Sequence, residues 1–284
     1  MSAESFLDQA DEAAGGFLTK SRKYLPIAAR ACLMASTLED SWRYIREFTT
    51  YKTYFSNLWM TEELEQDWLM ANLFIWPLCF KLLPGLLMVT NLLDKKVQQR
   101  FCLYMVFMSF YNVLALKGYP GGVNFNLWQC QQMSKLLTAI ILVYAEACEE
   151  SKNLFAGLPQ LGQKFTKQSY MSLIGRLLFG FLFFSKIHFI FSHWRFLLDW
   201  VVNLPCVIMI VLGFKTRFFA CGYVATLLFD NFYYHRFWDY WDQPFAYEHV
   251  AYEFFANLTL IGVCLQWILY GPGGLSLDKQ MKKE

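Results

Sequence analysis

Six carboxylates, Glu39, Asp40, Asp199, Asp230, Glu248 and Glu253, stand near the ends of long apolar stretches, and a dense run of rings extends from Tyr233 to Tyr247. An ionised carboxylate embedded in apolar sequence is costly to bury, so it faces a partner or a wet cavity. Its natural ligand is a cation. Aromatic faces add rigid, amphipathic walls that stack on apolar or cationic groups. Phe237, Trp238 and Trp241 supply such faces, with Asp239 and Asp242 interleaved, and Trp42 closely follows Glu39 and Asp40. Together these residues can form a pocket that takes a cationic group at its carboxylates and an apolar group against its rings. A plainer role competes with it. The carboxylates can pair with Arg43, Lys186, Arg195 or Arg236 and knit the helices, while the rings form an interfacial belt.

Catalytic chemistry has little to stand on. His188, His193, His235 and His249 lack the His-x-x-His or Glu-x-x-His spacing of a metal site. There is no Gly-x-Ser-x-Gly elbow, no phosphate-cradling glycine loop and no Cys-x-x-Cys pair. No enzyme activity, metal or cofactor is expected. Cys32, Cys79, Cys102, Cys130, Cys206, Cys221 and Cys264 fall inside or beside apolar runs and read as small hydrophobes, not as a disulfide framework.

The elements that must position these residues are membrane helices. Of the 284 residues, 56% are hydrophobic, 19% aromatic and only 17% charged, where soluble chains carry about 25% charged residues. A net charge of +2 offers no basic face for nucleic acid. A bilayer core of ~30 Å needs about 20 mostly apolar residues per helix. Eight windows qualify: Tyr24 to Tyr44, Leu69 to Leu93, Phe101 to Leu116, Phe125 to Tyr144, Met171 to Phe191, Phe196 to Gly213, Phe218 to Tyr234 and His249 to Tyr270. The expected fold is all-α, a polytopic transmembrane bundle of about eight spans at 24–270, preceded by a cytosolic segment 1–23 and followed by a cytosolic tail 271–284. The acidic N-terminus, without a basic region ahead of an apolar one, does not read as a cleavable signal. The sequon Asn257-Leu258-Thr259 falls inside a window, out of reach of glycosylation. Lys81, Lys135, Arg176 and Lys186 lie within windows and are expected to pair structurally, with a helix break at Pro84-Gly85 bringing Lys81 to its partner.

Basic clusters at Lys20 to Lys23, Lys95 to Arg100, Lys152 to Lys167, Lys215 to Arg217 and Lys279 to Lys283 all fall on one side of an eight-span map, which makes that side and both termini cytosolic. The candidate carboxylates then lie toward the lumenal ends. Tyr24 to Arg30 can be laid on Tyr170 to Arg176, and Lys96 to Cys102 on Lys215 to Cys221, which fits two parallel four-helix repeats.

Tyr24-Leu25-Pro26 with Leu38-Glu39-Asp40, then Phe155-Ala156-Gly157-Leu158-Pro159, Gly175-Arg176-Leu177-Leu178, Gly213-Phe214-Lys215-Thr216 and Gly271-Pro272-Gly273-Gly274-Leu275-Ser276-Leu277-Asp278 follow one another along the chain. In this order the set resembles the surfeit-locus-four family of cargo receptors. The resemblance implies a membrane protein that cycles between the endoplasmic reticulum and the Golgi through the intermediate compartment. It further implies that soluble secretory cargo is bound in the lumen by its amino terminus, a free amine followed by a hydrophobic-proline-hydrophobic motif. Coat-protein-II vesicle coats would be engaged on the cytosolic side, and a dilysine tail would serve for retrieval. The tail departs from that pattern: Lys282 and Lys283 are the candidate retrieval lysines, but only Lys282 falls at a position the signal uses. A small-molecule or lipid transporter is the alternative that buried charges and a two-half repeat also suit, and a membrane thiol oxidoreductase would need paired cysteines. Membrane lipid is an expected partner, and a homo-oligomer is left open. The topology is directly testable. Tags at either terminus should be protease-accessible from the cytosol, and a protected C-terminal tag would overturn the whole map.

Overall fold

Local sequence sets the ends of the helices. The computed structural model describes residues 24–46, 76–90, 94–117, 127–149, 167–186 and 197–277, and every regular element among them is helical. Helix α1 (Leu25–Leu33) has Pro26 in its first turn, where a fixed φ suits the helix and the missing N–H is not needed. After Met34 the chain continues as α2 (Ala35–Arg46), so the first window is one rod interrupted at a single residue. Then follow α3 (Trp76–Thr90), α4 (Lys95–Lys117), α5 (Leu127–Glu149) and α6 (Lys167–Lys186). A π-helical stretch, Leu198–Asn203, runs directly into α7 (Leu204–Leu212). Helix α8 (Thr216–Tyr233), a 3-10 turn (Phe237–Tyr240) and α9 (Pro244–Tyr270) complete the order. Gly213 closes α7 at φ 76°, a left-handed cap that glycine adopts without penalty.

Each of the eight apolar windows holds helix, and two details differ from expectation. Helix α3 passes through Pro84-Gly85 without a break; one backbone bond lost to proline is tolerated where neighbouring helices hold the rod. Helix α5 runs past Tyr144 to Glu149, so Glu146, expected in a cytosolic loop, lies in a helix and is only 4% exposed. Its neighbours Ala145 and Ala147 are strong helix formers, and a buried arginine awaits it.

Large apolar side chains face outward and several charged or polar ones are buried, which is unusual for a soluble protein. Leu103 and Phe107 on α4, Leu177, Phe181 and Phe184 on α6, and Ile208 and Leu212 on α7 are exposed. Arg30, Lys135, Glu146, Arg176, Asn257 and Gln266 are buried. Among the described residues one helix, His249–Tyr270 within α9, is long and apolar enough to cross a membrane; Ser169–Phe184 and Leu198–Leu212 are apolar but shorter.

Helix α9 is central, packing on α1, α2, α5, α8 and the 3-10 turn, while α5 packs on α4, α6 and α9. The core between them gathers Leu33, Met34, Val143, Phe179, Ile210, Val263 and Trp267. The α1–α9 crossing is close because Gly262 has no side chain: a Cβ there would lie 2.4 Å from Leu33 N, 2.8 Å from Cys32 C and 2.9 Å from Ala29 O. Small residues admit such approaches between membrane helices, and Ser36 reinforces this one through its hydroxyl contact with Thr259. Backbone atoms cannot step aside. Gly262→Ala should therefore cost about 1–3 kcal/mol and lower the melting temperature in detergent. Gly222→Ala, whose Cβ would meet only Cys206 Sγ at 3.6 Å, should melt like the parent. Equal melting of all three proteins would show that the crossing is looser than described.

Candidate functional site

A cavity of about 470 Å³ opens where α2, the 3-10 turn and the first turns of α9 meet, a volume in the range of small-ligand sites. Leu38, Glu39, Trp42, Arg43 and Arg46 share one face of α2 because residues three, four and seven to eight apart overlie one another on a helix. Tyr247, Ala251 and Phe255 recur at four-residue steps along α9 and form the facing wall. The room comes from Ala31, Ala35 and Ala251, whose methyl groups leave the space that larger side chains would fill.

Phe237 closes the cavity from the 3-10 turn. Its ring lies 5.7 Å from Tyr247, 5.2 Å from Phe254 and 5.9 Å from Phe255, the first two edge-on. Such ring pairs contribute about 0.5–1.5 kcal/mol beyond their area, so Phe237 pins the turn to α9. Trp42 stands at the rim, 62% exposed.

The charges are arranged unevenly. Arg43 Nη2 donates to Asp40 Oδ1 at 2.6 Å, whereas Arg43 Nε is 3.9 Å from Glu39 Oε1. The side chain of Glu39 is 10% exposed and lines the cavity; that of Asp40 is 35% exposed and does not. Arg43 also lies 5.6 Å from the centre of the Tyr252 ring, with Lys135 Nζ 5.5 Å from the same ring, and Arg46 lies 5.1 Å from the Tyr247 ring. Pairing of Glu39 and Asp40 with Arg43, the plainer of the two roles, is thus present beside the cavity.

Of the other candidates, Trp238 and Trp241 are exposed and flank the site without lining it; Trp241 meets Tyr247 edge-on at 5.6 Å. Asp199 is drawn elsewhere. It accepts a bond from Asn203 at 2.9 Å, and Asn203 in turn accepts one from the Thr226 hydroxyl at 2.7 Å. Asp230, near the end of α8, and Glu253, on α9, are half-buried and do not line the cavity. The side chain of Glu248 lies outside the described residues, as do the side chains of Lys81 and Lys186 and the whole of Lys282 and Lys283.

A second polar cluster escaped the sequence reading. Arg30 on α1 donates through Nε to Glu146 Oε1 at 3.0 Å and through Nη2 to the same oxygen. Tyr270 donates to Oε1 and Gln266 to Oε2, both at 2.8 Å. Arg30 falls inside the first apolar window, but nothing local could name a partner 116 residues away. Arg176 is held differently, by backbone: Nη1 donates to Val211 O at 3.0 Å and Nη2 to Leu275 O, while Ser172 Oγ donates to Pro272 O at 2.9 Å. Three of the sequence motifs, those at Gly175, Gly213 and Gly271, therefore meet at one end of the bundle.

Helices that turn apolar side chains outward while burying the Arg30–Glu146 pair and Arg176 have the construction of a membrane bundle, and here they open a ring-walled cavity beside a carboxylate. Comparison with known families identifies it further: residues 4–284 match the SURF4 family, and the chain belongs to that family. A Surfeit locus protein 4 homolog of Drosophila melanogaster is 28% identical over 98% of this chain and 97% of its own length. One from Schizosaccharomyces pombe is 26% identical over 98% and 87%. The ER-derived vesicles protein ERV29 of Saccharomyces cerevisiae is 24% identical over 93% and 79%. No solved structure matches the chain.

The buried ion pair makes a prediction of its own. Removing one partner strands the other charge and costs about 3–5 kcal/mol, whereas replacing both with apolar side chains is far milder. Glu146→Leu should therefore lower the melting temperature sharply, and Arg30→Met with Glu146→Leu should recover most of the loss. A double variant no more stable than the single one would show that the pair does not act as a unit.

Proposed function

We propose that this protein is a membrane receptor that binds the amino termini of soluble secretory cargo in the lumen of the endoplasmic reticulum and carries them toward the Golgi in coated vesicles. The observation that carries the reading is the carboxylate of Glu39 set in the wall of a cavity lined also by Trp42, Phe237, Tyr247, Phe255 and small apolar residues, with Arg46 in the same wall and Arg43 in it but bonded to Asp40. A peptide amino terminus has the matching chemistry, a cation at the end of a short apolar segment. Membership of the SURF4 family supports the trafficking role, and the ERV29 relative is named for vesicles derived from the endoplasmic reticulum. Cytosolic loops would engage the coat, and Lys282 and Lys283 would serve retrieval.

In this reading the chain spans the bilayer eight times with both termini in the cytosol, as two parallel four-helix repeats. The neighbour relations support the repeat. The rod α1–α2 packs on α9 as α6 packs on α5; α4 packs on α5 as α8 on α9; α2 packs on α3 as α6 on α7. Exchange of the two halves leaves that set unchanged. A receptor also fits the interior better than a transporter does. From Ala251 to Gln266, about 22 Å along α9 at 1.5 Å per residue, the route beyond the cavity is filled by the buried side chains of Leu33, Met34, Leu260 and Cys264. It ends at the satisfied Arg30–Glu146 cluster.

A charge-assisted hydrogen bond to the cargo amine contributes about 1.5–3 kcal/mol, so Glu39→Gln, close in shape, should weaken binding about tenfold or more. The measurement is the affinity of the purified protein for a peptide with a free amino terminus followed by a hydrophobic-proline-hydrophobic motif, with melting temperature as the control for folding. Unchanged affinity in a folded Glu39→Gln protein would exclude Glu39 as the acceptor.

A further inference from the structure

The two carboxylates of the α2 pair do not have equivalent surroundings. Asp40 has the short contact to Arg43 and lies off the cavity, while Glu39 has the long contact and lies on it. Arg43 lines the cavity beside Glu39 and is three residues from Asp40 and four from Glu39 on one helix. Both spacings bring side chains together on a helix surface. A change of side-chain rotamer alone therefore carries the guanidinium from one carboxylate to the other. Among the groups around it are Asp40 at 2.6 Å, Glu39 at 3.9 Å and the Tyr252 ring at 5.6 Å.

We propose, building on the cargo-binding reading above, that Arg43 is a built-in competitor for the cavity's cationic ligand, and that Asp40 is the positioning residue that draws it aside. An amine that reaches Glu39 meets a guanidinium already nearby, and the two like charges repel. Binding requires Arg43 to settle fully on Asp40 and the Tyr252 ring. Only a ligand with a full positive charge gains enough at Glu39 to drive that shift. A neutral, acetylated terminus gains nothing at Glu39, so Glu39 sets selectivity for the unmodified amine and Arg43 sets how tightly that amine is held. Asp40 contributes by keeping Arg43 off Glu39 and does not itself touch the ligand.

The test is a cycle of variants of the full chain in lipid nanodiscs. The probe is a synthetic peptide with a free amino terminus followed by a hydrophobic-proline-hydrophobic motif, compared with its acetylated counterpart. Arg43→Gln should bind the free-amine peptide about fivefold more tightly, the effect of one partly exposed charge pair. Asp40→Asn should bind it more weakly, because Arg43 then moves onto Glu39. Adding Arg43→Gln to Asp40→Asn should restore binding, whereas adding it to Glu39→Gln should not. The acetylated peptide should bind weakly to all of them. Should Arg43→Gln melt early, Arg43→Lys, which keeps the charge and loses the forked donor, replaces it and should fall between parent and glutamine. If Arg43→Gln leaves affinity unchanged or lowers it while Glu39→Gln still weakens binding, Arg43 is structural and the competitor idea fails. If the Asp40→Asn loss is not rescued, Asp40 acts by another route and the idea fails as well. If Glu39→Gln has no effect, the cavity reading itself is wrong.

Discussion

The Arg30–Glu146 ion pair joins the first helix to the fifth, and through Gln266 and Tyr270 both are joined to the last. Charges removed from water are tolerable only when their hydrogen-bonding capacity is met, and here the carboxylate receives donors on both oxygens. The consequence is specificity of arrangement. A bundle of apolar rods can pack in many registers at similar energy, because lipid contacts resemble protein contacts. A register that misaligned Arg30 and Glu146 would leave both charges stranded. The pair thus selects the arrangement in which α9 lies between α1 and α5, and that arrangement is what brings Tyr247, Ala251 and Phe255 opposite α2.

Helix α9 has two different ends for the same reason. Toward Tyr270 it is held by polar bonds and by the close crossing at Gly262. Toward Pro244 it is held by rings, with Phe237 inserted among Tyr247, Phe254 and Phe255. Polar bonds fix position sharply, and ring contacts allow adjustment at lower cost. The proposed binding cavity lies at the second end, where a ligand can be admitted without breaking a buried charge network.

The glycine motifs at Gly213 and Gly271 carry structure. Gly213 must be glycine twice over: its φ of 76° suits no other residue well, and a Cβ would lie 2.4 Å from Arg176 Nη1 and 2.7 Å from Ser276 Cβ. The Gly-Pro-Gly-Gly segment turns the chain back over α6, so that backbone carbonyls of Pro272 and Leu275 satisfy Ser172 and Arg176. Backbone carbonyls can help satisfy this buried cation because loop carbonyls, unlike those inside a helix, have no internal partner.

Much of this protein could be read from the chain. Apolar length placed helix in all eight windows, the charge of Arg176 within a window signalled an interior partner, and a carboxylate beside Trp42 marked the cavity end of α2. These are local properties, set by propensity, periodicity and the cost of burying charge, and the sequence states them directly. Which groups meet is a different matter. Glu39 rather than Asp40 faces the cavity because of the rotation of α2 against α9, and Asp199 is absent from it because its π-helical stretch packs on α8 and runs into α7, which packs on α6 and α8. Glu146 left the loop for the core because Arg30, Gln266 and Tyr270 converge on it from elements more than a hundred residues away. Such choices follow from the packing of rods whose relative rotation no local pattern encodes, and so only the tertiary structure decided them.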